Sequence, residues 1–155
     1  MRLNANLPSG ASQGGSIIFM SDESGKLLPL SWTSRKLRRV VKSTLAAEAM
    51  ALLDAIDTNV WLVHVISEIT NMKIDVSIFN TDNLSLVEAL HSTKSTEEKR
   101  LRVDIAAVKE AVENKEFIVR WVEKRFQLAD VLTKQGADSS LLLQVLRSGN
   151  IDQVI

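Results

Sequence analysis

Residues 74–91, IDVSIFNTDNLSLVEALH, change period halfway through. IDVSIF (74–79) alternates as a half-buried strand does, and from Asn83 to about His91 the spacing becomes helical. Thr81, Asp82 and Asn83 stand at the join, and each is a residue type that caps helix N-termini. In α/β proteins the region beyond the carboxyl end of a strand is also where ligands gather. Asp82 therefore has two readings, as a cap or as a ligand-facing acid, and the spacing permits both.

Working outward, the long segment from Ser43 to about Ile69 has period 3.6. Leu45, Ala49, Leu52, Leu53, Ile56, Val60 and Val63 share one face, and Asn71 is the stop. Before it, SIIFM (16–20) and LLPLSW (27–32) form a hairpin around SDESGK (21–26). Pro29 suits an edge position there, because it offers no N–H to a ladder. Residues 1–15, MRLNANLPSGASQGG, read as loop. After residue 91, a helix over 97–113, a strand over 116–122, a short helix over 128–134 closed by Gly136 and a last helix over 139–149 are predicted. A hairpin followed by alternating helices and strands predicts an α/β fold, with a mixed sheet flanked by helices. At 155 residues, a single domain over 1–155 is expected.

Composition narrows the chemistry. There is no cysteine, which removes disulfides, thiolate metal sites and cysteine nucleophiles. With 19 basic and 19 acidic residues the formal net charge is zero, so affinity for a polyanion has to come from a local patch. One exists: Arg35, Lys36, Arg38, Arg39 and Lys42 put five cations into eight residues, with no aromatic among them for base stacking. A solvated connector is the plainer account of that run. Asp54, Asp57, His64 and Glu68 interrupt the longest apolar stretches, and the first residues lack a signal-type apolar region. A soluble intracellular domain without membrane contact is the expectation, its compartment open.

Three acids occupy places where chemistry is plausible. Glu48 lies among alanines in AAEAMA, where small neighbours let the helix approach a sheet; the plainer account is a solvated first-turn acid favoured by the helix dipole. Asp82 has its capping alternative. Asp130, in QLADVLTK, opens a helix after the last strand, again a dipole-favoured place. Oxygen ligands without cysteine or a useful histidine suit a hard cation, Mg2+ or Mn2+. Asp57 and Glu68 belong to a solvated face, His64 is a packed or partly exposed helix residue, and His91 sits at a helix C-terminus. Trp32 and Trp121 are expected in the core.

Taken together, SWTSRKLRRVVKSTLAAEAMALLDAI (31–56), FNTDNLSLVEALHSTK (79–94), EEKRLRVDIAAVKE (97–110) and WVEKRFQLADVLTK (121–134) resemble the ribonuclease H domain at the end of copia-type retrotransposon Pol polyproteins. The resemblance runs from about Ser12 to Gly149. It rests most on the acid in STLAAEA, the TDN after a strand, and ADVLTK, in that order and spacing. It implies a ribonuclease H-like fold and a parent protein fused to a reverse transcriptase. It also implies hydrolysis of the RNA strand of RNA–DNA hybrids by four acids holding two Mg2+ ions. Glu48, Asp82 and Asp130 match the second, third and fourth acids, as both metal ligands and catalytic groups. The first acid, at the end of a central opening strand, falls at or just before Met1, and Asp22 belongs to the hairpin turn instead. The histidine that cellular members carry before the last acid is also missing, with only Lys124 and Arg125 in that place. The resemblance thus implies an N-terminally truncated domain, lacking its first, central strand and impaired in cleavage. A catalytically inactive domain that binds nucleic acid or protein through Arg35–Lys42, or a decayed retroelement fragment, is the alternative.

Overall fold

A computed structural model of the chain describes residues 13–37, 43–74, 76–92 and 101–150, and the backbone alone for residues 2–4. The fold is mixed α/β. In chain order it comprises β1 (Arg2–Asn4), β2 (Gln13–Ser21), β3 (Leu27–Lys36), α1 (Thr44–Thr70), β4 (Ser77–Thr81), α2 (Leu84–His91), α3 (Arg102–Glu113) and β5 (Phe117–Trp121). Two 3₁₀ turns, Lys124–Phe126 and Leu128–Leu132, and α4 (Ser140–Ser148) complete it.

The strands form two small sheets rather than the one mixed sheet expected. β1, β2 and β3 are antiparallel in that order, and β4 and β5 form a parallel pair. Residues 2–4, expected in a loop, are a strand: Arg2 lies opposite Gly15 and Asn4 opposite Gln13. Strand propensity is weak in Arg and Asn, so backbone pairing with an existing hairpin overrides it. Among the described residues no ladder joins β1 to β4.

The hairpin is otherwise as expected. Asp22 Oδ1 accepts from Ser24 N at 2.9 Å, Ser24 Oγ at 2.7 Å and Lys26 N at 2.9 Å, and Gly25 takes a left-handed φ of 80°. β3 is an edge strand and tolerates Pro29, opposite Phe19, beside a register shift at Ile18/Phe19.

α1 starts where Ser43 Oγ accepts from Ala46 N at 3.1 Å and stops at Asn71, whose φ of 54° is left-handed. Its buried residues, Ala46, Ala47, Glu48, Ala49, Ala51, Leu52, Ala55 and Ile56, all lie in its first half. At 27 residues the helix is about 40 Å long, whereas that buried segment covers only about 15 Å. The remainder overshoots the sheets, so Val60, expected on the core face, is exposed, as are Trp61 and Ile69. By length and composition α1 also suffices for a membrane crossing, contrary to the expectation from its charges; yet its first half is the centre of the core.

Around that half pack Leu86 and Leu90 of α2, Leu101, Ile105 and Val108 at α3, and Phe117 and Val119 of β5. Phe79 of β4 meets Phe117 edge-to-face at 5.4 Å. α3 begins at Arg102, and residues 93–100, which include the expected helix start at Glu97, lie outside the described residues. The 128–134 helix is a 3₁₀ turn instead. α4 ends at Gly149, φ 63°, where Leu27 N donates to Gly149 O at 2.7 Å and ties the chain's last helix to β3.

Candidate carboxylate site

The join between β4 and α2 separates the two readings of Asp82. Asn83 is the cap: its Oδ1 accepts from Leu86 N at 3.0 Å. Buried Thr81 accepts from Asn83 N at 3.2 Å through its hydroxyl, and Thr81 O accepts from Val122 N at 2.9 Å. The turn is thus held on both sides of Asp82 by its neighbours, and Asp82 itself, half-buried, does not cap the helix.

Glu48 departs from its plainer account altogether. α1 has no acid in its first turn, and Glu48 is only 2% exposed, among Ala46, Ala47, Ala49 and Ala51. A buried carboxylate is costly unless it is well bonded or neutralised. Its Oε2 is buried and makes no hydrogen bond among the described residues, although the side chain has other contacts.

Asp130 sits in the second 3₁₀ turn with its side chain 17% exposed. Oδ2 pairs with Lys134 Nζ at 2.5 Å, while Oδ1 is buried without a hydrogen bond among the described residues. Its carbonyl accepts from Thr133 N and Lys134 N, both at 3.1 Å. This turn lies against β2 where Gly15 leaves room. A Cβ on Gly15 would stand 2.6 Å from Thr133 Cγ2 and 3.1 Å from Leu132 Cβ. Ser34 Oγ of β3 donates to Leu132 O at 2.5 Å, and Gln127 Nε2 makes a long bond of 3.4 Å to Asn80 O of β4. The segment bearing Asp130 therefore touches both sheets.

Donor chemistry and assembly give different answers about a metal. Carboxylate oxygens, as a donor type, suit Mg2+ or Mn2+. Yet no group of three or more His, Cys, Asp and Glu side chains is arranged to hold a metal among the described residues. Among the described residues the structure does not bring Glu48, Asp82 and Asp130 together as a metal-holding group.

The basic run is only partly visible. Arg35 pairs with Asp54 of α1 at 2.8 Å, each side chain a little over 40% exposed (43% and 42%), and Lys36 is exposed at the end of β3. Arg38, Arg39 and Lys42 lie outside the described residues. The tryptophans differ from expectation: Trp32 is 68% and Trp121 47% exposed. Trp32 is on an edge strand and Trp121 at the last residue of a short one, so neither end is covered. His64 is exposed beside Glu68 at 3.4 Å, and His91 is in the last turn of α2, as expected. The partner that sequence reasoning passed over is Lys134, although its i,i+4 spacing from Asp130 was a signal for it. Compared with family models, with curated proteins and with solved structures, the chain matches none.

Proposed function

We propose that this chain is a ribonuclease H-like nucleic-acid-processing module of retrotransposon origin. Its parent activity is hydrolysis of the RNA strand of RNA–DNA hybrids by carboxylate-held Mg2+, and cleavage by the chain as given is impaired. The observation that carries the reading is the burial of Glu48. Glu48 is only 2% exposed on the core helix, and buried carboxylates are uncommon and concentrate at sites of chemistry. Asp82 adds to it, since the N-cap is Asn83 and the reading of Asp82 as that cap does not hold. Mg2+ bound by Glu48, Asp82 and Asp130 would activate water and stabilise the leaving oxygen. The impaired reading rests on the resemblance, which finds three acids, Glu48, Asp82 and Asp130, of the four that hold two Mg2+ ions.

The experiment is cleavage of a labelled RNA–DNA hybrid with Mg2+. It compares this chain with a version extended by an upstream strand ending in Asp. Cleavage only by the extended protein, lost in Asp82→Asn, is the expected result. Cleavage by the chain as given, abolished by Asp82→Asn, overturns the impaired reading. Absence of cleavage by both removes the nuclease reading.

A second reading, a catalytically inactive nucleic-acid-binding domain, draws support from the Lys134–Asp130 pair, which neutralises one of the three acids. Steeply salt-dependent binding of hybrid that survives Glu48→Gln and Asp130→Asn, and falls when Lys36 is changed, would favour it.

A further inference from the structure

The half of α1 that overshoots the sheets is covered on one side only. Asn59 Nδ2 donates to Ser77 Oγ at 2.8 Å, so the chain that leaves the helix at Asn71 comes back beside it to start β4. On that side Leu62, Val63 and Ile66 are only partly exposed. On the other side Asp57, Val60, Trp61, His64, Glu68 and Asn71 fall within about 100° of one another around the helix axis, and all six are exposed. Val60 is 59% and Trp61 62% exposed. A helix segment this apolar is ordinarily covered, and a projecting stripe that carries a tryptophan marks an interaction surface.

Apolar and charged groups alternate along this stripe, and that selects the occupant. Lipid would leave Asp57, His64 and Glu68 without polar partners. We infer that the stripe is a self-association surface, on which a second copy of the chain packs antiparallel. With a two-fold axis level with Ile66, His64 of each copy faces Glu68 of the other, and Trp61 of each faces Asn71 of the other. The second copy's helix then ends level with Trp61, clear of the buried half that closes at Ile56. Within one copy His64 Nε2 and Glu68 Oε1 stand 3.4 Å apart with side chains 72% and 69% exposed, a loose pair that exchanges readily for one across the axis. The indole N–H of Trp61 can donate to the side-chain carbonyl of Asn71 while its ring covers Val60 of its own stripe. From Trp61 to Asn71 the contact is about 15 Å long, so the interface is small and the dimer weak, with a Kd of about 10–100 µM. None of this depends on the function proposed above.

The test is sedimentation velocity of the full chain over a concentration series, where the wild type should pass from monomer to dimer. Trp61→Glu and Glu68→Lys, each first shown to unfold cooperatively, should weaken dimerisation at least about tenfold. The double variant His64→Glu/Glu68→Lys should restore it, because the reversed pair still matches across the axis. Orientation is read by oxidative cross-linking, since the chain has no cysteine of its own. A mixture of His64→Cys and Glu68→Cys proteins should give the mixed disulfide dimer in clear excess over either protein with itself. A wild type that stays monomeric at every concentration overturns the inference, as does a dimer that Trp61→Glu and Glu68→Lys leave intact. Preferential cross-linking of the His64→Cys protein to itself overturns the antiparallel arrangement. A monomer that floats with phosphatidylcholine–phosphatidylserine vesicles, and no longer does so in Trp61→Glu, gives the stripe to lipid and likewise overturns it.

Discussion

Two acid-bearing regions of this chain show how differently a carboxylate can be accounted for. In the hairpin turn, Asp22 is fully exposed and one oxygen accepts three hydrogen bonds from Ser24 and Lys26. Its side-chain bond from Ser24, then the backbone bond from Lys26, hold its carboxyl below the ordinary range. Geometry alone explains why an aspartate is there. Around the second 3₁₀ turn and the first half of α1 the reverse holds. Glu48 and Asp130 are withdrawn from water, and each keeps a buried oxygen atom without a hydrogen bond among the described residues. An acid that shapes a turn is bonded by the turn.

The sharpest way to break this contrast is Glu48→Gln. If the carboxylate weakens the fold, the neutral isostere should stabilise the protein by about 2 kcal/mol in urea unfolding. A loss of similar size would make Glu48 a structural group. Gly15→Ala comes next. Its new methyl would meet Thr133 Cγ2, and overpacking there should cost about 1.5 kcal/mol and shift the turn that bears Asp130. Asn83→Ala should cost about 1 kcal/mol through loss of the cap, whereas Asp82→Asn should change stability by less than about 0.5 kcal/mol. Reversal of that order would return Asp82 to a capping role.

The smallest effect belongs to Asp22→Ala, a modest fall in thermal stability with a characteristic pH dependence. Because the folded carboxyl titrates below its ordinary value of 3.8, its contribution is complete above that pH and fades as pH falls through the lower folded value. Wild type and variant should therefore converge in thermal melts well below pH 4 and differ at pH 7.

Much of the fold could be read from local chemistry. The Ser43 cap and the Asn71 stop bracket α1 because each is a local, strongly favoured backbone state. The β4–α2 join was legible for the same reason, down to three candidate caps of which Asn83 proves to be the one. Non-local features were not. Arg2–Asn4 becomes a strand only because β2 presents its edge, and the division into two sheets depends on which strands pair. Helical periodicity could not reveal that α1 outruns its sheets and leaves Val60 and Trp61 exposed, since period says which face is apolar and not what lies opposite. Residue type and position between elements made Glu48, Asp82 and Asp130 the candidates. The burial of Glu48 and the grip of Lys134 on Asp130 depend on tertiary packing.

In the function proposed above, Glu48, Asp82 and Asp130 serve one cation-binding site. Mn2+-induced line broadening of backbone amide signals tests it most directly. Broadening that appears together around these three residues, at Mn2+ levels that leave Asp22 and Asp138 sharp, is the expected result. Broadening first at those exposed turn acids, or at only one of the three residues, would contradict it.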